Sequence, residues 1–319
     1  MYAPLFYDTG GSRGSGPAAA QDEAQRHGTE GAEMGLFDGL ESMGLGGLGQ
    51  VELYSEEQQE KEKKAEEIVP VKEVHEADFL LTKEFECHIC GKRFKQRTMR
   101  PGKAKLVSQD RILRPVFNGV DPTKYDVILC PYCGYAVLTR YYAALAKPHK
   151  QLIKDNISAN FKQMPTVVKD EIGYEEAFQR YKLALFNAVV RQGKNSEKAF
   201  ICLKIVWLLR GWMESLDPES LEGKKIAQQI KPQEREYMLN ALEGFIKARG
   251  QEPPPYAGMN EVSLDYLIGA LCAETGERLQ DGGRVLAAVL ASSSAGDKLK
   301  ERAREVLELL KKQLKEEQT

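Results

Sequence analysis

Cys87-His88-Ile89-Cys90-Gly91 and Cys130-Pro131-Tyr132-Cys133-Gly134 organise this chain. Both read CxxCG, and Cys90 and Cys130 are separated by residues 91–129, a spacer of 39 residues. In each, the glycine permits a positive φ, so the backbone can turn back and aim amides at the cysteine sulfurs. Two such knuckles supply four thiolates, the donor set of a closed tetrahedral zinc site. Cys87, Cys90, Cys130 and Cys133 are therefore the candidate zinc ligands. A redox role would call for a βαβ context around one CxxC, and neither knuckle opens a long amphipathic helix. Four thiolates leave no open coordination position, so the expected role is structural. His88, between two ligands, reads as a neighbour of the site rather than a fifth donor.

The surroundings of the knuckles read as a small β-ribbon, a zinc module over residues 79–138. Phe79–Thr82 and Lys83–Glu86 lead into the first knuckle as extended runs, and 105–107 and 125–129 read as strands. Asn118-Gly119-Val120-Asp121-Pro122 is turn chemistry between them. A ribbon of about 55 residues is too small to build a full core, and a metal would take its place. Between the knuckles and before residue 115, Lys92, Arg93, Lys95, Arg97, Arg100, Lys103, Lys105, Arg111 and Arg114 face one acid, Asp110. This basic segment, 92–114, could contact phosphates, with Phe94, Phe117 and Tyr132 placed to stack on bases. The competing account is that a four-thiolate site is net negative and draws cations to itself.

From residue 139 to 319 the pattern is helical. Tyr141–Lys147 reads as a continuation out of the second knuckle. Helices are expected near 149–162, 173–192, 195–216, 219–229, 232–249, 261–276, 281–292 and 297–316. Ala177-x3-Tyr181-x2-Ala184 and Ala241-x3-Phe245-x2-Ala248 match the small–aromatic–small spacing of a tetratricopeptide repeat's second helix. Gly269, Gly276, Val285 and Ala288 keep part of the pattern in a third copy, where Asp281 replaces the expected alanine. The fold class expected is mostly α, a β-ribbon zinc module followed by a tetratricopeptide-like α-helical domain.

Residues 1–78 read as a disordered tail and charged linker. Residues 1–33 are rich in Gly, Ala, Ser and Gln without periodicity. The texture changes at Met34, so a translation start there stays open beside Met1. Leu36–Leu48 carries an amphipathic spacing, but glycines at 35, 39, 44, 46, 47 and 49 oppose a helix. Residues 52–76 are rich in Glu and Lys, and Pro70 ends the run.

With 319 residues, 42% hydrophobic, 29% charged and a net charge of −2, composition fits a soluble protein with a core and gives no global argument for nucleic acid. No apolar run approaches the ~20 residues of a membrane span. The N-terminus shows no basic region ahead of an apolar stretch, so no secretory signal is expected. Cys202 and Cys272 sit singly in helical patterns as small hydrophobes, which fits a reducing cytoplasm. There is no glycine-rich phosphate loop, HExxH, GxSxG or paired-carboxylate motif, and no enzyme activity is expected.

Tyr125-Asp126-Val127-Ile128-Leu129-Cys130-Pro131-Tyr132-Cys133-Gly134-Tyr135-Ala136 resembles the hallmark of the bacterial family catalogued as domain of unknown function 2225. Tyr181-Lys182-Leu183-Ala184-Leu185 and Asn195–Lys204 share the resemblance, which covers roughly residues 79–316. It implies a cysteine-knuckle module ahead of a tetratricopeptide-like helical region, with the family's paired cysteines falling on Cys87, Cys90, Cys130 and Cys133. It implies no activity. The chain departs from the family's look at Gly282-Gly283, where a helix-forming stretch is expected. The functional expectation is a cytoplasmic zinc-binding scaffold or adaptor whose helical repeats bind a protein or peptide. The alternative is a nucleic-acid-binding protein using the basic ribbon.

Overall fold

The computed structural model describes residues 75–317. The readings made above for residues 1–74 lie outside the described residues. Among the described residues, six short strands form three antiparallel hairpins, and seven α-helices follow. The strands are β1 (Leu80–Glu86), β2 (Arg93–Met99), β3 (Leu106–Gln109), β4 (Pro115–Phe117), β5 (Val127–Leu129) and β6 (Ala136–Leu138). The helices are α1 (Lys147–Ile153), α2 (Tyr174–Val190), α3 (Asn195–Ser215), α4 (Leu221–Gln251), α5 (Glu261–Thr275), α6 (Leu279–Ala291) and α7 (Asp297–Glu317).

Several expectations change in detail. The two extended runs at 79–86 are one strand, β1, paired with β2 from Leu80 opposite Met99 to Glu86 opposite Arg93. The β2 strand lies in the basic segment, whose lysines and arginines mask its alternation. The helix expected at Tyr141–Lys147 is a single 3-10 turn, Thr139–Tyr141, followed by irregular chain. The helices expected at 219–229 and 232–249 are one, α4, with Pro232 inside it. Proline removes the amide that would bond the Gln228 carbonyl. Pro232 and Gln228 are both exposed, so water takes that carbonyl and the helix continues. The charged linker also ends early, because Glu76 already holds Lys124 Nζ at 2.6 Å and the Tyr125 hydroxyl.

Each helix from α2 onward packs against the one that follows, and α5 also packs on α7. The small–aromatic–small positions sit at these contacts. Ala177, Tyr181 and Ala184 are buried on α2, and Ala241, Phe245 and Ala248 on α4. Gly244 meets Ala199 so closely that an added Cβ would lie 2.8 Å from the alanine's own. Gly282-Gly283 does not break α6. The close approach in this hairpin falls one residue after Asp281, where a Cβ on Gly282 would lie 2.7 Å from Cys272. Gly269 on α5 meets Leu286 in the same way. Two glycines thus let α5 and α6 touch, which outweighs their cost of about 1 kcal/mol each in helix propensity.

Residues 73–319 form one compact unit, and the turn between β3 and β4 shows how the hairpins join the helices. Asp110 N donates to Arg114 O and Leu113 takes φ 61°, which closes a tight loop. That loop lies across the alternate helices α3, α5 and α7. Arg302 Nη2 donates to Gln109 O (3.3 Å), Tyr266 Oη to Arg111 O (2.9 Å) and Trp207 Nε1 to Ile112 O (3.2 Å). The Arg210 guanidinium ties Asp110, Glu234 and Glu274 together at 2.7–2.9 Å. Ile112 is fully buried in the core between them. Ile112→Ala is expected to destabilise the chain by about 3 kcal/mol, because it removes buried methyl groups where rigid neighbours prevent collapse. Urea unfolding checks this, and a loss below about 1 kcal/mol would place residue 112 outside the core.

Candidate metal centre

The two knuckles fold by the same hydrogen bonds. Gly91 N donates to Cys87 O at 2.8 Å, and Gly134 N to Cys130 O at 3.1 Å. Cys87 N donates to Lys92 O, and Cys130 N to Tyr135 O, at 3.0 and 2.9 Å. Gly91 and Gly134 both have φ 72°, a conformation that side chains resist. At Gly134 there is no room either, since a Cβ would lie 2.5 Å from the Phe161 ring.

The knuckles bring all four expected sulfurs together, within 4.8 Å of one another. Cys87 Sγ lies 3.5 Å from Cys133 Sγ, and Cys90 Sγ lies 3.7 Å from Cys130 Sγ. A tetrahedron with bonds of about 2.3 Å has sulfur–sulfur edges of about 3.8 Å, so the four thiolates fit one thiophilic ion. Hydrogen bonds from Cys130 and Cys133 pull the Cys87 thiol down to about 2, while those same contacts push Cys133 up. A thiophilic cation binds deprotonated sulfurs, so its binding displaces their protons. Cys87, Cys130 and Cys133 are buried and Cys90 lies toward solvent. Cys202 and Cys272 are free and buried in the main core, away from the cluster. Burial raises their thiols, to about 12 and about 11.

Around the sulfurs lies a second, smaller apolar cluster. Phe85 and Phe94, opposite one another in β1 and β2, stack at 5.8 Å beside Ile89, Ile128, Tyr135 and Val137. Ile153 of α1 and Ile157 of the π-turn after it close the cluster. His88 is not in the sulfur group; its ring lies against Tyr142 at 4.6 Å. The knuckle backbone is held from outside by groups that motif reading did not single out. Asn187 Nδ2 donates to Gly134 O at 3.0 Å, Ser158 Oγ to Cys133 O at 3.0 Å, and Tyr142 Oη to Glu86 O at 2.6 Å. Asn187 had one signal in the sequence, a polar residue among the apolar positions of α2. It is 1% exposed.

The arginines of the basic segment meet carboxylates or a carbonyl of the chain, whereas Lys92, Lys95, Lys103 and Lys105 are exposed. Arg97 pairs with Asp170 (2.6 Å), Arg111 with Glu274 (2.5 Å) and Arg114 with Glu214 (2.5 Å). Arg93 lies near Glu84 and Glu86, and Arg100 Nε donates to Leu80 O. Lys92 sits over the Tyr132 ring at 4.8 Å.

Residues 80–310 match the family model described as "Uncharacterized protein conserved in bacteria (DUF2225)". No curated protein and no solved structure matches the chain.

Asn187→Ala removes a hydrogen bond that fixes the second knuckle without touching a sulfur. It is expected to weaken cobalt(II) binding by about tenfold while keeping the absorption of a four-thiolate site. Unchanged affinity in a cobalt titration against a competing chelator would show that the knuckle holds its shape without α2.

Proposed function

Since the chain belongs to the family of uncharacterised proteins conserved in bacteria, DUF2225, whose description assigns no activity, we propose that it is a zinc-binding scaffold or adaptor. In this reading zinc, held by Cys87, Cys90, Cys130 and Cys133, is structural. It replaces a core that three short hairpins cannot build and takes no part in a reaction. The protein works in a reducing cytoplasm, in keeping with six unpaired cysteines, and among the described residues no helix is long and apolar enough to cross a membrane.

The observation that carries the adaptor reading is the grip on residues 109–112. Side chains from three alternate helices of a tetratricopeptide-like array, Trp207, Tyr266 and Arg302, donate to main-chain carbonyls of one loop. Recognition of main chain by donors lined up along a helical array is the chemistry of a peptide receptor. The array is thus suited to holding a protein or peptide segment, and here one such segment comes from the chain itself. The alternative reading, nucleic acid on segment 92–114, is less well supported. Most of its arginines already meet carboxylates or carbonyls, and a phosphate would have to displace them.

Two measurements test the reading. Elemental analysis of protein purified without added metal should give close to one zinc per chain. Partners cross-linked to the full chain in native lysate should persist through nuclease treatment. Partners that elute with nuclease, or a salt-dependent shift with RNA, would transfer the function to the basic segment.

A further inference from the structure

The two-stranded sheet of β1 and β2 has an open edge whose direction follows from its hydrogen bonds. Cys87 N donates to Lys92 O and Arg100 N to Phe79 O. In an antiparallel ladder the bonded pairs alternate. Phe94, Gln96 and Thr98 therefore turn their N–H and C=O groups toward β1, while Lys95 and Arg97 turn theirs away. Among the described residues no strand lies beyond β2. An unpaired strand edge is a template for another extended chain.

This edge opens into a groove of about 380 Å³. Across it runs the irregular stretch 164–169, anchored where Met164 N donates to Pro131 O (2.9 Å) of the second knuckle. One end is closed by Arg97, whose Nε reaches Lys169 O and whose Nη2 reaches Asp170. The groove's apolar lining includes Leu129, Pro131 and Ile172. Met164 and Val167 also line it, although 39% and 81% exposed, so apolar surface remains uncovered.

The charge around the groove is one-sided. Arg97 is matched by Asp170, but Lys169 and Arg180 share a single carboxylate, Glu176. Lys95 adds a further cation to the lining. Arg180 Nε and Nη1 are buried without an acceptor. Lys95, Lys169 and Arg180 thus outnumber the one carboxylate, Glu176, beside them, which favours an acidic ligand.

We propose that this groove is a docking site for an extended, acidic–aliphatic segment of a partner protein, which adds to β2 as a third strand. Main-chain groups of Lys95 and Arg97 pair with the segment, an aliphatic side chain lies against Leu129 and Ile172, and an acidic side chain meets Lys95 and Arg180. The proposal rests on the adaptor reading and relocates its free surface. The face of α3, α5 and α7 already holds residues 109–114, whereas no described residue pairs with the β2 edge. The groove is also built on the metal centre, because Pro131 of the second knuckle is both its wall and the anchor of Met164.

The test uses the metal-loaded full chain. Hydrogen exchange of the free protein should show the Lys95 and Arg97 amides exchanging faster than those of Phe94 and Gln96. Slow exchange at 95 and 97 would mean the edge is already covered, and would overturn the proposal. A phage-displayed random peptide library should then yield acidic–aliphatic binders that slow exchange at 95 and 97. Lys95→Pro deletes only an outward amide, a position where an edge strand tolerates proline. It should weaken those binders by about tenfold or more, as the loss of one hydrogen bond and its neighbours predicts. Val167→Asp, whose side chain is on the surface, should do the same if the proline variant loses its metal. Failure to select any binder, or binders indifferent to both variants, overturns the groove. If the Lys95→Pro chain keeps every nuclease-resistant partner, the adaptor reading stands and the groove alone falls.

Discussion

Val127, Ile128 and Leu129 of β5 face two cores in turn. Val127 and Leu129, with Ala136 and Leu138 of β6, enter the core of the helical array. Ile128, with Val137 and Tyr135, enters the small cluster around the four sulfurs. Successive strand residues point to opposite faces, so one hairpin is the wall between both. The second knuckle is the loop of that hairpin. The position of Cys130 and Cys133 is therefore inherited from the helices, and the metal-side cluster is in turn closed by β1, β2 and α1. A one-residue slip in this hairpin would place Ile128 in the wrong core and misplace both cysteines.

The charged residues follow the same economy of position. The basic segment between the knuckles looks in isolation like a nucleic-acid surface. In the fold, Arg111, Arg114 and Arg97 reach carboxylates 73 or more residues away in sequence. The Arg111 and Arg114 pairs, with the Arg210 cluster, clamp the hairpins onto the helices, and Arg97 ties β2 to the stretch before α2. Such partly buried pairs specify geometry more than they add net stability, because desolvation offsets much of the attraction. They do explain why the loop at 110–114 accepts a left-handed leucine, since its carbonyls and side chains are held from several helices at once.

One functional picture joins these observations. Four cysteines placed to hold one metal ion sit within the hairpin module, and a helical array receives a loop of that module along alternate helices. Among the described residues, the outer edge of β2 stays uncovered, beside the knuckle and fringed by surplus cations. The adaptor reading and the docking proposal both draw on this arrangement, in which the metal stands behind the surface and does not meet a ligand.

The amino-acid sequence by itself determined which four cysteines form the sulfur cluster and the two turns that carry them, because each CxxCG turn forms through bonds between near neighbours and needs no distant partner. It also determined that the C-terminal region is helical and which small residues sit at helix contacts, since Ala177, Ala184, Ala241 and Ala248 recur at helical spacing. It misplaced details where local signals conflict with context. Pro232 marks a break that an exposed carbonyl makes unnecessary, and Gly282-Gly283 marks a weakness that close packing against Cys272 turns into a contact. Only the tertiary structure decided that the cysteine module and the helices share the β5–β6 wall, that Arg97, Arg111 and Arg114 meet carboxylates far off in the chain, and that Lys95 and Arg97 line an edge left open among the described residues. Each of those depends on pairing between residues far apart in the chain. No single-sequence pattern encodes such pairing, because the charges and apolar residues read the same whether their partner is solvent or a helix a hundred residues on.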